Sequence, residues 1–570
     1  MRQEITPESV WNEYEKDCQF KMGLNLYDTV RANENFYIGK QWEGVQANGL
    51  PTPVFNFIKR IILYVVASTS TDNLKINASP LSSTGMAGAA EMDRLTQVVN
   101  AQFEALFEQN KLGKQSREFM RNAAVDGDAC IYSWFDPDAE TGQTAKGTIR
   151  TELLENTRVC FGNPNNRDVQ SQPYILITRR ELVKDVREQA KQWGGGAVEI
   201  ISDSDETSDR FDAMTDGKVT TVTRFWRDRE TKTIWAVKTV KDAVVRKAWD
   251  TTLKLYPIVW MNWDYVQNCY HGQAAVTGLI PNQIFVNKMF AMTMISLMTT
   301  AYPKIVYDKT RIARWDAGVG KAIPVNGGDV SNVAKAIDPA AISPQVSQFI
   351  ELAIGLTKEF MGATDAALGD TRPDNTSAII ALQKASSVPM EPTKQNFFQC
   401  VEDLGRIWQD QMRACYGVRY VDIKPTGQER QAAAMAGITL PDEPVPTEFD
   451  FSVLERVPLS IKLDVGGSAY WSEIAQMQTL DNLLMNGQIN VVDYLERVPN
   501  GYISNQEELI QTLRQRMGMM QNTMQNGASG AVNAGQEQGL TVEGGTGYGE
   551  LQRAINQTGM EGMDLSQIQV

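Results

Sequence analysis

The sequence holds a single histidine, His271, among its 570 residues. Histidine is the usual acid–base residue near neutral pH, so a Ser-His-Asp triad or a multi-histidine metal site must use this residue or do without it. In its context, NCYHGQ, we expect His271 to be a loop or packed residue. The scarcity of histidine therefore argues against both kinds of site.

Cysteine is also sparse, and its spacing is uninformative for metal binding. The six cysteines are scattered, and no two of them form a CxxC pair, so neither a disulfide framework nor a zinc site is indicated. A reducing compartment fits this usage. The first residues, MRQEITPESVWNEYEKD, are charged and lack the apolar run of a signal peptide, so we expect a protein that is not secreted.

Long apolar runs are few. Residues 289–302, MFAMTMISLMTTAY, come nearest to a membrane span, but these 14 residues fall short of the roughly 20 that cross the hydrocarbon core of a bilayer. Asn287 and Lys288 directly precede them. We therefore expect a buried or subunit-packed helix and no membrane association.

Signatures for nucleotide or cation binding are incomplete. A phosphate loop needs a Ser or Thr after GxxxxGK, and Ala322 stands there in GVGKA. Residues 194–196 are glycines that follow a predicted helix rather than a strand, which does not fit a dinucleotide fingerprint. Asp126 and Asp128 in VDGDA lack the further ligands of a calcium site, so we expect a solvated turn. We predict no cofactor, no metal and a structural or mechanical role rather than an enzyme.

The overall composition is that of a globular protein with an acidic surface. Hydrophobic residues make up 42% and charged residues 22% of the chain, and the formal net charge is -14. The length suggests about two to four folding units. An acidic chain does not neutralise DNA phosphates over a broad surface. Any contact with DNA must therefore be local or repulsive.

Apolar periodicity in the first half of the chain predicts an α+β fold that is mainly helical. The first 130 residues have apolar positions three and four apart, which is typical of helices. From about Cys130, the short runs IYSWF, RVCFG and YILITR predict strands, and residues 219–249 predict an antiparallel hairpin or meander. Between them, Glu181 to Trp193 predicts one helix, followed by an acidic loop.

Two helices joined by a short strand-bearing segment follow. Residues 278–298 predict one helix of about 30 Å with Pro281 near its start. KIVYD then predicts a strand. A second helix is predicted to begin with Ser343 as the N-cap and Pro344 at the first helical position, and to end at Gly362. Its apolar stripe consists of Val346, Phe349, Ala353, Leu356 and Phe360.

The last third of the chain reads as a polar loop, a kinked helix and a small helical unit. The loop ATDAALGDTRPDNTS leads into a helix that Pro389 and Pro392 must kink or break. Short strands are predicted near 419–423 and 460–465. Three helices follow, predicted at 472–485, 491–496 and 507–517. After Met520 the chain is rich in Gly, Gln and Asn, and we expect a flexible tail.

This order of elements resembles that of the portal proteins of tailed bacteriophages. FYIGKQWEG at 36–44 and PTPVFNFIKRIILYVVAS at 51–68 are similar to the family's N-terminal signature, and ENTRVCFGNPNNRD at 155–168 is similar to its Asn/Asp-Pro turn. Residues 278–308 resemble the first stem helix running into the clip, and residues 362–386 resemble the tunnel loop and its helix. The resemblance covers roughly residues 20 to 515.

The resemblance implies the portal fold, assembled as a dodecameric ring. The parts it implies are a wing (1–272), stem helix 1 (273–302), clip (303–343), stem helix 2 (344–362), tunnel loop (363–377), kinked tunnel helix (378–416), wing return strands (417–468), crown helices (469–520) and flexible tail (521–570).

The resemblance also implies which residues meet the DNA. The residues of the tunnel loop expected to face DNA are Asp365, Asp370, Thr371, Arg372, Asp374 and Asn375. The stem residues expected to line the channel are Gln348, Glu351, Lys358 and Glu359. A mainly acidic lining repels the DNA backbone and lets it slide, whereas a basic lining grips it. An ordinary solvated loop is the alternative for the first group.

The implied partners follow from the same resemblance. They are further copies of the chain, double-stranded DNA passing through the channel, the terminase large subunit, the major capsid and scaffolding proteins, and neck or adaptor proteins. The implied location is the portal vertex of the virion, after assembly in the host bacterial cytoplasm. Another head–tail connector component, or a packaging enzyme with a phosphate loop or an acidic metal cluster, remains the alternative.

Overall fold

The structure is a computed structural model of the chain. It describes residues 5–47, 49, 51–69, 74–80, 89–203, 217–301, 305–316, 318, 321–336, 345–362, 388–423, 435, 445–457, 459–464, 470–486, 488–498, 506 and 509–514. The chain divides into two compact units, residues 1–468 and residues 469–570.

Both units contain helices, and the first also contains every described strand. The helices are α1 (Pro7–Gly23), α2 (Leu26–Ile38), α3 (Phe57–Thr69), α4 (Ala89–Gln109), α5 (Leu112–Asp126), α6 (Val183–Gln192), α7 (Ala275–Ala301), α8 (Gln345–Phe360), α9 (Glu391–Cys415), α10 (Tyr470–Met485) and α11 (Val491–Arg497). The strands are β1 (Lys75–Pro80), β2 (Asp128–Asp136), β3 (Thr148–Leu154), β4 (Val159–Phe161), β5 (Tyr174–Leu182), β6 (Lys218–Arg227), β7 (Ile234–Thr239), β8 (Val244–Asp250), β9 (Ile258–Asn262), β10 (Ile305–Tyr307), β11 (Ala334–Ala336), β12 (Val418–Ile423), β13 (Val445–Asp450) and β14 (Leu459–Asp464). The predicted α+β class is therefore confirmed.

Helix α9 is the centre of the main hydrophobic core. Its residues at spacings of three and four are buried, as the sequence predicts, including Phe397, Leu404 and Trp408. They pack with buried residues of α3, α4 and α5 in one cluster. Pro392 lies in the first turn of α9, where a missing N–H costs nothing. The helix ends at Cys415, just before Gly417 with φ of 63°, which is the predicted stop.

Two antiparallel sheets form the mixed part of the first unit. The strand order is β3-β2-β9 in one sheet and β4-β5-β6-β7-β8 in the other. Cys130 at the start of β2 lies between Leu154 of β3 and Trp260 of β9. The predicted meander at 219–249 is confirmed as β6, β7 and β8.

Two predictions for the first half were wrong. The first 130 residues are not all helical, because Lys75–Pro80 forms β1 and pairs with β14, with Lys75 opposite Asp464. A partner so far along the chain leaves no local signal. Helix α6 begins at Val183 rather than Glu181, because Glu181 and Leu182 continue β5 and pair with Val219 and Lys218.

The second unit is helical where it is described. The predicted helices at 472–485 and 491–496 are confirmed as α10 and α11, and the Asn490 side chain accepts a hydrogen bond from the backbone N–H of Val491. Of the third predicted helix, residues 509–514 are helical, while Asn505 and Glu508, the predicted capping box, lie outside the described residues. The predicted tail after Met520 also lies outside them.

Gly405 lets α9 approach the β1–β14 pair closely. A Cβ atom built at Gly405 would lie 2.8 Å from Cγ2 of Ile461 and 2.8 Å from Cγ2 of Ile76. Both neighbours are β-branched, so neither methyl group moves away easily. Gly113 in α5, by contrast, has no atom within 4 Å of the same position.

We predict that Gly405→Ala lowers the free energy of unfolding by about 1 kcal/mol or more, because overpacking typically costs about 1–3 kcal/mol and outweighs the helix propensity gained. The matched control, Gly113→Ala, keeps or raises stability. Denaturant unfolding of both variants at one protein concentration measures this. Equal stabilities for the two variants would show that the close approach does not constrain α9.

Candidate assembly and channel surface

The first half of α7 is tied to the N-terminal segment by a buried polar network. The Gln283 side-chain amide donates to the carbonyl oxygen of Phe55 at 2.8 Å and to Asn287 Oδ1 at 3.0 Å. The Asn287 amide donates to Gln41 Oε1 at 2.6 Å. Gln41, Gln283 and Asn287 are all buried. Because a buried amide without a partner is costly, these bonds fix the position of α7 along the segment.

The two motifs near the N-terminus meet at this network. The Trp42 indole donates to the carbonyl oxygen of Pro53 at 2.9 Å, and the Asn56 amide donates to that of Tyr37 at 2.9 Å. The segments at 36–44 and 51–68 therefore hold each other and, through Gln41 and Phe55, hold α7. The sequence analysis identified both motifs but assigned no role to Gln283 and Asn287. Two amide side chains within a mainly apolar helix were the signal that could have identified them, because buried amides need hydrogen-bond partners.

The second half of α7 is apolar and only partly covered: Phe290 stacks on Phe55 with ring centroids 4.0 Å apart, but large apolar side chains beyond it are exposed. Helix α7 confirms the predicted long helix and extends it by three residues at each end, so it runs about 40 Å and Pro281 lies inside it rather than near its start. From Lys288 onward no described side chain of α7 is buried, and Met292 is 64% exposed. A helix that is apolar on all sides normally packs against other protein or lipid.

No helix among the described residues is long and apolar enough to cross a membrane.

Helix α8 packs antiparallel to α7. The Asn282 amide, near the start of α7, donates to Thr357 Oγ1, near the end of α8, at 3.0 Å. Ile350 and Thr357 form the buried face of α8. The predicted apolar stripe is divided in the structure: Val346 and Ala353 are partly buried, whereas Phe349 and Leu356 are exposed. The Phe360 side chain lies outside the described residues.

The exposed surface of α8 consists of two flanks of different chemistry. The apolar flank comprises Phe349, Leu352 and Leu356, which are 58%, 55% and 45% exposed. The polar flank comprises the four predicted channel residues, Gln348, Glu351, Lys358 and Glu359. At 3.6 residues per turn, the apolar flank spans an arc of about 60° and the polar flank an adjoining arc of about 100°. Gln348, Glu351 and Glu359 are exposed, and Lys358 is half-buried.

The segment between α7 and α8 forms a small folded excursion, residues 305–336. Strands β10 and β11 pair antiparallel, with Val306 opposite Lys335. The Tyr307 and Trp315 rings lie 5.5 Å apart, and Ile312 and Val333 are buried. The predicted strand in KIVYD is confirmed as β10.

Asp126 and Asp128 are not in a solvated turn, so that prediction was wrong. They are 7% and 1% exposed. Asp128 accepts hydrogen bonds from the Asn262 amide and from the backbone N–H of Gly272, both at 2.7 Å. His271 Nδ1 lies 2.6 Å from the other oxygen of Asp128. His271 is thus packed, as predicted, and these partners more than 130 residues away explain why the local pattern was misleading.

Among the described residues, neither a metal-ligand cluster nor an activated thiol is found. No group of three or more His, Cys, Asp or Glu side chains in the described part of the chain is arranged to hold a metal ion. All six thiols are free, and burial raises the pKa of each, that of Cys415 to about 11. Because the thiolate is the nucleophile, none of these cysteines is activated.

The predicted tunnel-loop residues lie outside the described residues, which exclude 363–387. These residues are Asp365, Asp370, Thr371, Arg372, Asp374 and Asn375.

Comparison with known proteins gives one family. The sequence model described as "Phage P22-like portal protein" matches residues 176–541, more than half of the chain. The match includes α7, the excursion and α8, but neither the motifs at 36–44 and 51–68 nor the turn at 155–168. No curated protein matches the chain.

For the buried network, we predict that Asn287→Ala lowers the free energy of unfolding by about 1–3 kcal/mol, because it leaves the buried Gln41 oxygen without a donor. Lys288→Ala, at the exposed neighbouring position, changes stability by no more than about 0.5 kcal/mol. Denaturant unfolding at one protein concentration tests both. If the Asn287 variant is as stable as the Lys288 variant, the network does not anchor α7.

Proposed function

The chain belongs to the phage P22-like portal protein family, and from this membership we propose that it assembles into a closed ring in which α7 and α8 of every copy surround the path of the DNA. A portal protein forms the channel at a capsid vertex through which a tailed phage packages and ejects its genome. It is a structural component of the virion rather than an enzyme.

The observation that carries the ring is the uncovered apolar surface of the two helices. The second half of α7 and the apolar flank of α8 leave large side chains such as Met292, Leu297 and Phe349 exposed to water. Burying apolar surface is worth about 25 cal/mol per Å², so a partner that covers these side chains gains stability. In a closed ring every copy meets its neighbour through the same head-to-tail pair of surfaces, so one kind of contact covers these side chains at every position.

We assign the polar flank of α8 to the wall of the channel. It adjoins the apolar flank, so when the apolar flank meets a neighbouring copy the polar flank turns toward the axis. Glu351 and Glu359 place two carboxylates there against the single, half-buried cation of Lys358, and Gln348 adds an uncharged amide. Like charge keeps the DNA backbone away from the wall, so the DNA slides rather than binds.

The remaining parts follow the family's architecture. We assign residues 1–272 with 417–468 to the wing, 273–302 and 344–362 to the stem, 303–343 to the clip and 363–416 to the tunnel loop and its helix. Residues 469–520 form the crown, and residues 521–570 form the tail. A ring of about a dozen copies docks the terminase large subunit, then neck or adaptor proteins, and contacts the major capsid and scaffolding proteins, after assembly in the host cytoplasm.

We predict that the double variant Leu352→Lys and Leu356→Lys prevents ring formation, because two ammonium groups would have to be buried between copies. The control, Gln348→Lys and Glu351→Lys, adds at least as much positive charge on the polar flank and leaves rings intact. Mass photometry of the purified proteins distinguishes rings from monomers. Rings of normal size from the leucine variant would exclude the apolar flank as a subunit interface.

For the tunnel loop, we predict that replacing Asp365, Asp370 and Asp374 with Lys impairs packaging while rings still form, because the added cations hold the DNA backbone. The same three residues changed to Asn give a smaller defect. Nuclease-protected DNA in particles complemented with each variant is the measurement. Normal packaging by the Lys variant would remove these residues from the mechanism.

A further inference from the structure

The excursion, residues 305–336, has the opposite charge balance to the rest of the chain. It contains five Lys or Arg residues and three Asp residues, whereas the whole chain has 55 Lys and Arg against 69 Asp and Glu. A segment of opposite sign in an acidic protein is a local exception to the repulsion that the rest of the chain exerts on DNA.

The three carboxylates of the excursion are engaged in local bonds. Asp308 accepts from the backbone N–H of Thr310 at 2.9 Å, and Asp329 accepts from that of Ser331 at 3.1 Å. Asp316 pairs with Lys321 at 3.0 Å. Hydrogen bonds from the side chains of Thr310, Lys321 and Ser331, followed by the backbone bonds, lower the pKa of Asp308, Asp316 and Asp329 respectively. The acids therefore stabilise turns of the excursion itself.

Three of the cations, by contrast, have no acidic partner. Lys309, Arg314 and Lys335 are exposed, and no carboxylate among the described residues lies within ion-pair distance of them. Arg311 differs, because its guanidinium donates to the carbonyl oxygens of Gly327 and Asp329. Lys335 lies opposite Val306 in the β10–β11 register, and both side chains are exposed on one face of the strand pair. These three long cationic side chains are free to meet an external anion.

We infer that Lys309, Arg314 and Lys335 form a binding site for the phosphate backbone of duplex DNA. The inference rests on the proposed ring, which repeats the three cations around the axis beside the end of the helices that line the channel. Backbone contacts need exposed Lys and Arg at repeated positions but no groove that reads bases. The ring then repels DNA along α8 and holds it at the excursion.

The same cations are also able to dock an acidic protein surface. DNA is the ligand we favour because the proposed ring brings a repeating row of phosphates past every copy of the excursion. A protein partner must instead match the spacing and shape of one particular surface. The experiment separates the two ligands.

The test measures binding of a duplex DNA of about 30 base pairs to assembled, full-length rings by fluorescence anisotropy over a range of salt concentrations. The variant Lys309→Gln, Arg314→Gln and Lys335→Gln removes the site. The matched control, Lys184→Gln, Lys191→Gln and Lys247→Gln, removes the same charge from exposed positions of α6 and β8. We expect at least about tenfold weaker binding for the excursion variant at low salt, and a salt dependence that falls by up to about 0.9 for each phosphate that the variant no longer neutralises.

Equal affinities for the two triple variants would overturn the site. So would a variant that binds DNA normally but no longer binds the phage's own terminase large subunit, because the cations would then serve a protein partner. If the excursion variant does not assemble, the three single substitutions are measured, and each must weaken binding about twofold or more. Absence of rings from the unmodified chain would instead contradict the proposed function, so the two failures are distinguishable.

Discussion

Helix α7 is anchored in its first half by buried amides and has no buried described side chain in its second half, and the proposed assembly depends on this asymmetry. Gln283 and Asn287 fix the first half to the N-terminal segment through bonds that a buried amide must make. The second half has no buried described side chain. An exposed apolar surface of this kind is typical of an interaction site, and we propose that further copies of the chain cover it.

Charged side chains of opposite sign lie in different segments next to this apolar surface. Acidic side chains lie on the polar flank of α8, beside the apolar flank rather than within it. Three cations without acidic partners, Lys309, Arg314 and Lys335, lie in the excursion that joins the two helices. The net charge of -14 sums segments of opposite sign, and we propose that the polar flank of α8 repels DNA whereas the excursion attracts it. In the ring that we propose, this separation lets DNA move fast along most of the channel and contact it at one position.

Local periodicity was sufficient to predict most elements but few of their partners. The amphipathic pattern of α9, the meander of β6 to β8 and the existence of the long helix α7 were all predicted correctly, because each depends on spacing within one segment, whereas the length of α7 was underestimated by three residues at each end. Strand β1 was missed because its partner, β14, lies far along the chain. Asp128 was misplaced for the same reason, since His271 and Asn262 bury it from a distant loop and strand. The apolar stripe of α8 was predicted as one surface, but only the tertiary structure shows that Phe349 and Leu356 face outward. The tunnel-loop residues remain a prediction from the family resemblance.

Electron microscopy of the purified full-length protein is the decisive measurement for assembly through α7 and α8. We expect closed rings of about a dozen copies with an axial hole wide enough for duplex DNA, and α7 and α8 of neighbouring copies in contact in the reconstruction. Monomers at micromolar concentration, or rings in which the second half of α7 still faces solvent, would contradict assembly through these helices.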